Sequence, residues 1–239
     1  MECHFFYSFR LVIFTIIIEY KMKELNGIKY IERRPTVEVE KTQLFLLIHG
    51  YGSHEEDLFS FAQDLPETAH VISVRARYDI MYGGYAWYDI SFENNEKYMD
   101  VDQATASRDA LVGFIDQIIE QEKLDAENVF IAGFSQGAIL SYSIALNFPN
   151  KVKNVMILSG YPEFKIIGDF DQSQDFSHLN FFVSHGTEDA ILPIEAGRLG
   201  EKLLNDLNIK NEYHEYRSGH GIVPQNYFDL MDYIKKANA

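Results

Sequence analysis

An α/β fold, with a mostly parallel central sheet and helices on both faces, is what this 239-residue sequence predicts. Three observations carry that expectation. Short apolar runs of strand length, such as Leu44 to Ile48 and Asn128 to Ala132, alternate with longer stretches of helical period. A hydrophobic content of 46% with 14% aromatics supplies a substantial core. No repeat, low-complexity block or Pro/Ser-rich linker divides residues 22 to 239, so one domain is expected there.

Residues 1 to 21 stand apart. His4 to Tyr20 is largely apolar and densest from Leu11 to Ile18, but Arg10 and Glu19 bracket that part and leave it too short to span a bilayer. Glu2 sits where a secretory signal carries positive charge, and no small-x-small cleavage site follows. The segment is expected to be an extension outside the fold. The alternatives are a cleaved or anchoring leader and an extra packed segment.

Ile28 to Arg33 reads as an edge strand closed by Pro35, and Leu44 to Ile48 as a strand covered on both faces. Ser53 or His54 then opens a helix carrying Leu58, Phe59, Phe61, Ala62 and Leu65, ended by Pro66. His70 to Ser73 is the next strand. Residues 78 to 98 match neither period, and their Tyr and Gly content points to an ordered loop over the strand ends. Asp102 is the expected cap of a long helix in which Leu111, Phe114, Ile115, Ile118 and Ile119 recur at helical spacing. Asn128 to Ala132 follows as a strand, and Ala138 to Leu146 as a helix that stops before Pro149. Further strands are Val155 to Leu158, Phe181 to Ser184 and Glu212 to Tyr216. A helix from Ile194 to Leu207 lies between the last two, and Pro224 opens a terminal helix. Such alternation implies right-handed crossovers between parallel strands.

Charge and composition exclude several function classes. A formal charge of −15 leaves no Lys/Arg surface for nucleic acid and opposes docking on an anionic membrane. A lone cysteine, Cys3, permits no intrachain disulfide framework and is compatible with the cytoplasm, the expected location. The histidines and carboxylates lack paired spacings such as H-E-x-x-H, and no Rossmann or Walker glycine pattern occurs. Neither a metal nor a cofactor is expected, and no stable membrane insertion. The oligomeric state stays open.

The chemistry is concentrated in Gly133-Phe134-Ser135-Gln136-Gly137, which fits the G-x-S-x-G nucleophile elbow and lies between a strand and a helix, as that motif requires. A serine hydroxyl alone is a poor nucleophile. It needs an imidazole to take its proton and a carboxylate to fix the imidazole tautomer. Asp189, in the turn Ser184-His185-Gly186-Thr187-Glu188-Asp189, and His220, in Ser218-Gly219-His220-Gly221, supply these in the order serine, acid, histidine. Glu188 is the rival acid, while Asp169, Asp171 and Asp175 read as solvated. Two N–H donors must hold the oxygen of the tetrahedral intermediate; Gln136 offers one. Tyr51, in the loop His49-Gly50-Tyr51-Gly52, offers the other, with His49 orienting the loop. Tyr82, Tyr85, Trp87 and Tyr88 are candidates for a substrate wall with an apolar body and polar tips, although Trp87 could equally pack the loop onto the core.

Taken with Ala86-Trp87-Tyr88-Asp89-Ile90, these motifs resemble the phospholipase/carboxylesterase family, which includes acyl-protein thioesterases and small carboxylesterases. The resemblance covers residues 28 to 236 or so, with Ala138 where the family often has a second glycine. It implies an α/β-hydrolase fold without a large lid, a Ser135/Asp189/His220 triad and an oxyanion hole from Tyr51 and Gln136. The expected activity is cofactor-independent cleavage of a small-molecule ester or thioester, and the tyrosine-rich segment from Tyr78 to Tyr88, a departure from acyl-protein thioesterases, points to a short to medium acyl chain. The alternatives are a non-catalytic binding module of the same fold and a long-chain acyl thioesterase or lysophospholipase.

Overall fold

The computed structural model describes residues 20–93 and 96–238; the expected extension at residues 1 to 21 lies outside them except for its last two positions. Its strands are β1 (Lys23–Leu25), β2 (Ile28–Arg33), β3 (Leu44–Ile48), β4 (His70–Val74), β5 (Tyr78–Asp79), β6 (Tyr85–Ala86), β7 (Ile90–Glu93), β8 (Glu96–Met99), β9 (Val129–Phe134), β10 (Asn154–Leu158), β11 (Asn180–Gly186) and β12 (Lys210–Tyr216). The helices are α1 (Glu56–Phe59), α2 (Val101–Glu122), α3 (Gln136–Asn147), α4 (Phe164–Ile167), α5 (Ile194–Asp206) and α6 (Pro224–Ala237). Eight strands form one sheet in the order β1-β2-β4-β3-β9-β10-β11-β12. Pairing is antiparallel at β1–β2 and β2–β4 and parallel from β4 to β12.

The apolar run of β3 explains its central place. Leu44, Leu46 and Ile48 face one core layer, against α2, α3 and α5, while Phe45 and Leu47 face the other, against α1 and α6. Successive side chains of a strand point to opposite faces, so only an unbroken apolar run can serve two helical layers. Helix α3, buried along nearly its whole length, carries apolar or small residues on every side for the same reason. Tyr20 packs edge-on against Phe59 at 4.6 Å, so the described chain enters the fold on the α1 face. Among the described residues no helix is long and apolar enough to cross a membrane.

Four expectations need correction. The cap of α2 is Asp100, whose carboxylate accepts from the Gln103 N–H at 2.8 Å. Asp102 lies inside the first turn, where a cap cannot act but negative charge still suits the helix dipole. Helix α1 starts only at Glu56 and tightens into a 3₁₀ turn over Ser60–Gln63, because Ser53 is committed to a bridge with Tyr85. Residues 78 to 98 are not one loop; they contain two small ribbons, β5–β6 and β7–β8. Ile28 to Arg33 is not the edge strand: an additional strand, β1, covers β2 on its free side, joined across Asn26-Gly27, whose φ values of 51° and 76° close a two-residue hairpin.

Candidate active site

Strand β9 ends at the C-terminal edge of the sheet and hands Ser135 to the start of α3. Ser135 sits at φ 52°, ψ −113°, a conformation that L-residues avoid. The residues two before and two after it must be glycine. A Cβ at Gly133 would lie 2.3 Å from the Gly137 carbonyl oxygen, and one at Gly137 would lie 2.0 Å from that of Ile48. The elbow is thus pressed against β3 too closely for any side chain, and the serine hydroxyl is raised above the sheet.

The loops after β11 and β12 meet this hydroxyl. His220 Nε2 lies 2.9 Å from Ser135 Oγ, and His220 Nδ1 lies 2.7 Å from Asp189 Oδ2. The other carboxylate oxygen of Asp189 accepts from the N–H groups of Ile191 and Leu192, each at 2.9 Å. Burial would raise the Asp189 carboxyl. The Leu192 N–H, the His220 ring and the Ile191 N–H outweigh it and hold the group below its ordinary value, as a carboxylate. Glu188 turns outward instead and accepts from the Arg217 guanidinium at 2.8 Å. Asp171 and Asp175 are exposed and accept from Ser173 and Ser177 in their own turns; Asp169 is exposed too.

The His49–Gly52 loop follows β3 beside the elbow. Among the described residues neither the Tyr51 N–H nor the Gln136 N–H has a hydrogen-bond partner within the chain. His49 is fully buried, and its Nε2 accepts from the Ala76 N–H at 3.0 Å, so the proton is on Nδ1, donated to the Gly50 carbonyl at 2.7 Å. Burial is the main cause that lowers its pKa from 6.5 to about 4, against the opposing pull of the Gly50 carbonyl. Neutral His49 supports the fold fully above pH 6.5, and that support is lost as pH falls towards 4, because the unfolded chain takes the proton first. That difference is worth about 3 kcal/mol. Urea unfolding at pH 7.5 and 4.5 is expected to show a drop of that order, smaller in His49→Gln than in the wild type. An equal drop in both proteins assigns the acid sensitivity elsewhere.

A cavity of about 480 Å³ opens beside Ser135 and His220. Its walls are Tyr51, Tyr88, Ile90, Gln136, Ile139, Ala190, Ile191 and Leu192. Of the four aromatic residues expected to line a substrate wall, only Tyr88 does so. Tyr82 is fully exposed on a turn at φ 69°. The Tyr85 hydroxyl faces Arg75 at 3.1 Å, away from the cavity. Trp87 is fully buried, with its indole N–H donating to the His49 carbonyl at 2.9 Å. The aliphatic walls were missed by sequence reasoning, although spacing offers a signal. Ile139 stands one helical turn after Ser135, and Ile191 and Leu192 follow Asp189 directly.

The Gln136 side chain ties the wall to the elbow. Its Oε1 accepts from the Trp87 N–H at 2.9 Å, and its Nε2 donates to the Tyr88 carbonyl at 2.7 Å. Ser107 Oγ donates to the Trp87 carbonyl from α2. Tyr88 therefore lines the cavity as part of a fixed wall.

Known proteins share this arrangement of sequence and fold. The acyl-protein thioesterase 1 of Debaryomyces hansenii is 31% identical over 160 residues, 64% of this chain and 68% of that protein. The acyl-protein thioesterase 1 of Kluyveromyces lactis is 27% identical over 210 residues, 81% of this chain and 91% of that one. The fold of the Bacillus cereus carboxylesterase superposes with a TM-score of 0.76 at 22% identity, covering 88% of this chain and 94% of the other. A model of the phospholipase/carboxylesterase family matches residues 35–238, a stretch that holds every strand of the sheet except β1 and β2, together with Ser135, Asp189 and His220. This chain belongs to the phospholipase/carboxylesterase family of α/β-hydrolases.

Proposed function

We propose that the protein hydrolyses carboxylic esters or thioesters of short to medium acyl chain length through an acyl-enzyme intermediate, without a cofactor. The observation that carries this reading is the continuous line from Ser135 Oγ through His220 to Asp189, at 2.9 and 2.7 Å. Ser135 Oγ attacks the carbonyl carbon and passes its proton to His220 Nε2. The N–H groups of Tyr51 and Gln136 hold the oxyanion, and Asp189 stabilises the imidazolium. His220 then gives the proton to the departing alcohol or thiol, leaving Ser135 acylated. Water repeats the sequence and releases the acid. The relatives named acyl-protein thioesterase favour the thioester as well as the ester, since both pass through the same intermediate.

The acyl group is assigned to the cavity walled by Ile139, Leu192 and Tyr88. A largely aliphatic lining suits an alkyl chain, and the buried Tyr88 limits its length. Each methylene that fits adds about 1 to 3 kcal/mol of discrimination, so the preference is graded. A series of p-nitrophenyl esters is expected to peak at short to medium chains, and the optimum to lengthen in Tyr88→Ala. Trp87→Ala should instead lower stability by about 3 to 5 kcal/mol, because it empties a buried site outside the cavity. A long-chain optimum that Tyr88→Ala leaves unchanged removes Tyr88 as the limit. No turnover of any ester or thioester by wild type, with no labelling of Ser135 by a fluorophosphonate, overturns the enzymatic reading and leaves a binding module.

A further inference from the structure

The loop that carries the Tyr51 N–H is held by a partly buried ion pair that makes no contact with the cavity. Glu55, 2% exposed, lies just before α1, and Arg75 leaves the end of β4. Arg75 donates to both Glu55 oxygens, Nε to Oε2 at 2.6 Å and Nη2 to Oε1 at 2.5 Å. Its third contact is with Tyr85. Nη1 donates to the Tyr85 hydroxyl at 3.1 Å, and the guanidinium lies 4.5 Å from the centre of the ring. The Tyr85 backbone in turn grips the loop. Its carbonyl accepts from the Gly52 N–H and its N–H donates to the Ser53 carbonyl, both at 2.9 Å. The two segments are pressed together here, since a Cβ at Gly84 would lie 2.3 Å from the Gly52 oxygen.

We infer that Glu55, Arg75 and Tyr85 are positioning residues for the oxyanion hole: the ion pair fixes Tyr85, and Tyr85 fixes the direction of the Tyr51 N–H. The inference rests on the hydrolase reading above. The physical reason is the steep geometric dependence of oxyanion stabilisation, which requires a donor about 3 Å from where the oxygen will be. Gly52, at φ 80°, has no side chain to lock the loop, so the lock is supplied by Tyr85 immediately after Tyr51. The bidentate fork is the feature that matters. A lysine at position 75 keeps the charge but cannot hold two carboxylate oxygens and a phenol in one plane.

The test uses Arg75→Lys and Tyr85→Phe, the second of which removes one hydroxyl and almost no volume, so that a folded variant is in hand. Active sites are counted with a fluorophosphonate, so rates refer to folded protein only. Three quantities are then measured: kcat, KM for a p-nitrophenyl ester, and the affinity of a trifluoromethyl ketone. That ketone accepts Ser135 Oγ at its carbonyl carbon, sends the serine proton to His220 and leaves an oxyanion in the hole. The expected result is a fall in kcat of about 10- to 100-fold in Arg75→Lys, the range set by misplacing such a donor, and a smaller fall in Tyr85→Phe. The ketone should weaken in proportion while KM stays within about twofold. A merely structural role would lower melting temperature and leave per-site kcat and ketone affinity unchanged, and that result overturns the proposal. Failure of the hydrolase reading is distinguishable, since wild type would then neither label nor turn over.

Discussion

Ser135→Ala is expected to reduce ester turnover to background, a loss on the order of 10⁶-fold, the scale reached when a serine-protease nucleophile is removed. The fold should survive, because the hydroxyl's hydrogen bond is to His220 and the surrounding backbone contacts belong to the glycines and to β3. Ser135→Gly sharpens the argument. At φ 52°, ψ −113° the elbow's packing holds Ser135 in a backbone conformation where only glycine is at ease, a cost of about 1 to 3 kcal/mol. The glycine variant should be as inactive as the alanine variant and yet melt higher than wild type. Initial rates on a p-nitrophenyl ester and a thermal melt of the three proteins decide the point. Turnover within tenfold of wild type in Ser135→Ala removes Ser135 as the nucleophile, and a glycine variant that melts lower removes the strain.

The parts of the site that were legible in the sequence are those written in consecutive residues. A nucleophile elbow must have its glycines at fixed offsets, because Gly133 and Gly137 meet backbone oxygens of Gly137 and Ile48. Asp189 and His220 sit in turns directly after β11 and β12, so their order along the chain translates into a common edge of the parallel sheet. The apolar run of β3 announced its burial on both faces in the same local way.

What was not legible depends on which way neighbouring side chains turn. Tyr82, Tyr85, Trp87 and Tyr88 are close in sequence, but Tyr82 lies on the turn inside the first short ribbon, Tyr85 on its second strand, and Trp87 and Tyr88 on a bend between the two ribbons, so no single period sets their directions. Trp87 goes into the core and Tyr88 into the cavity, a difference of one residue that composition cannot express. The Glu55–Arg75 pair joins residues 20 positions apart through the end of a strand and the start of a helix. Nothing in either local sequence marks the other as its partner. Strand β1 is the opposite case: three residues are too few to show a period, and the Asn26-Gly27 dipeptide was the only local trace of the hairpin.

Asp189→Asn is expected to cost on the order of 10⁴ in kcat, as the corresponding change does in serine proteases, and the hydrogen bonds show why the amide would adopt the damaging orientation. One carboxylate oxygen accepts from two backbone N–H groups, those of Ile191 and Leu192. An amide NH₂ cannot replace it there, since donors would face donors, so the amide oxygen must take that side. The NH₂ then occupies the position 2.7 Å from His220 Nδ1 and donates to it. Nδ1 is forced to become an acceptor, which moves the imidazole proton to Nε2, facing Ser135 Oγ. A protonated Nε2 cannot accept the serine proton, and the nucleophile is left unactivated although every side chain keeps its place. The loss should therefore fall on kcat, with KM and melting temperature changing little. Circular dichroism, a thermal melt and steady-state kinetics on one ester are sufficient to check it. Activity of Asp189→Asn within tenfold of wild type would show that the tautomer is fixed by something other than Asp189, and the role of the acid would have to be reassigned.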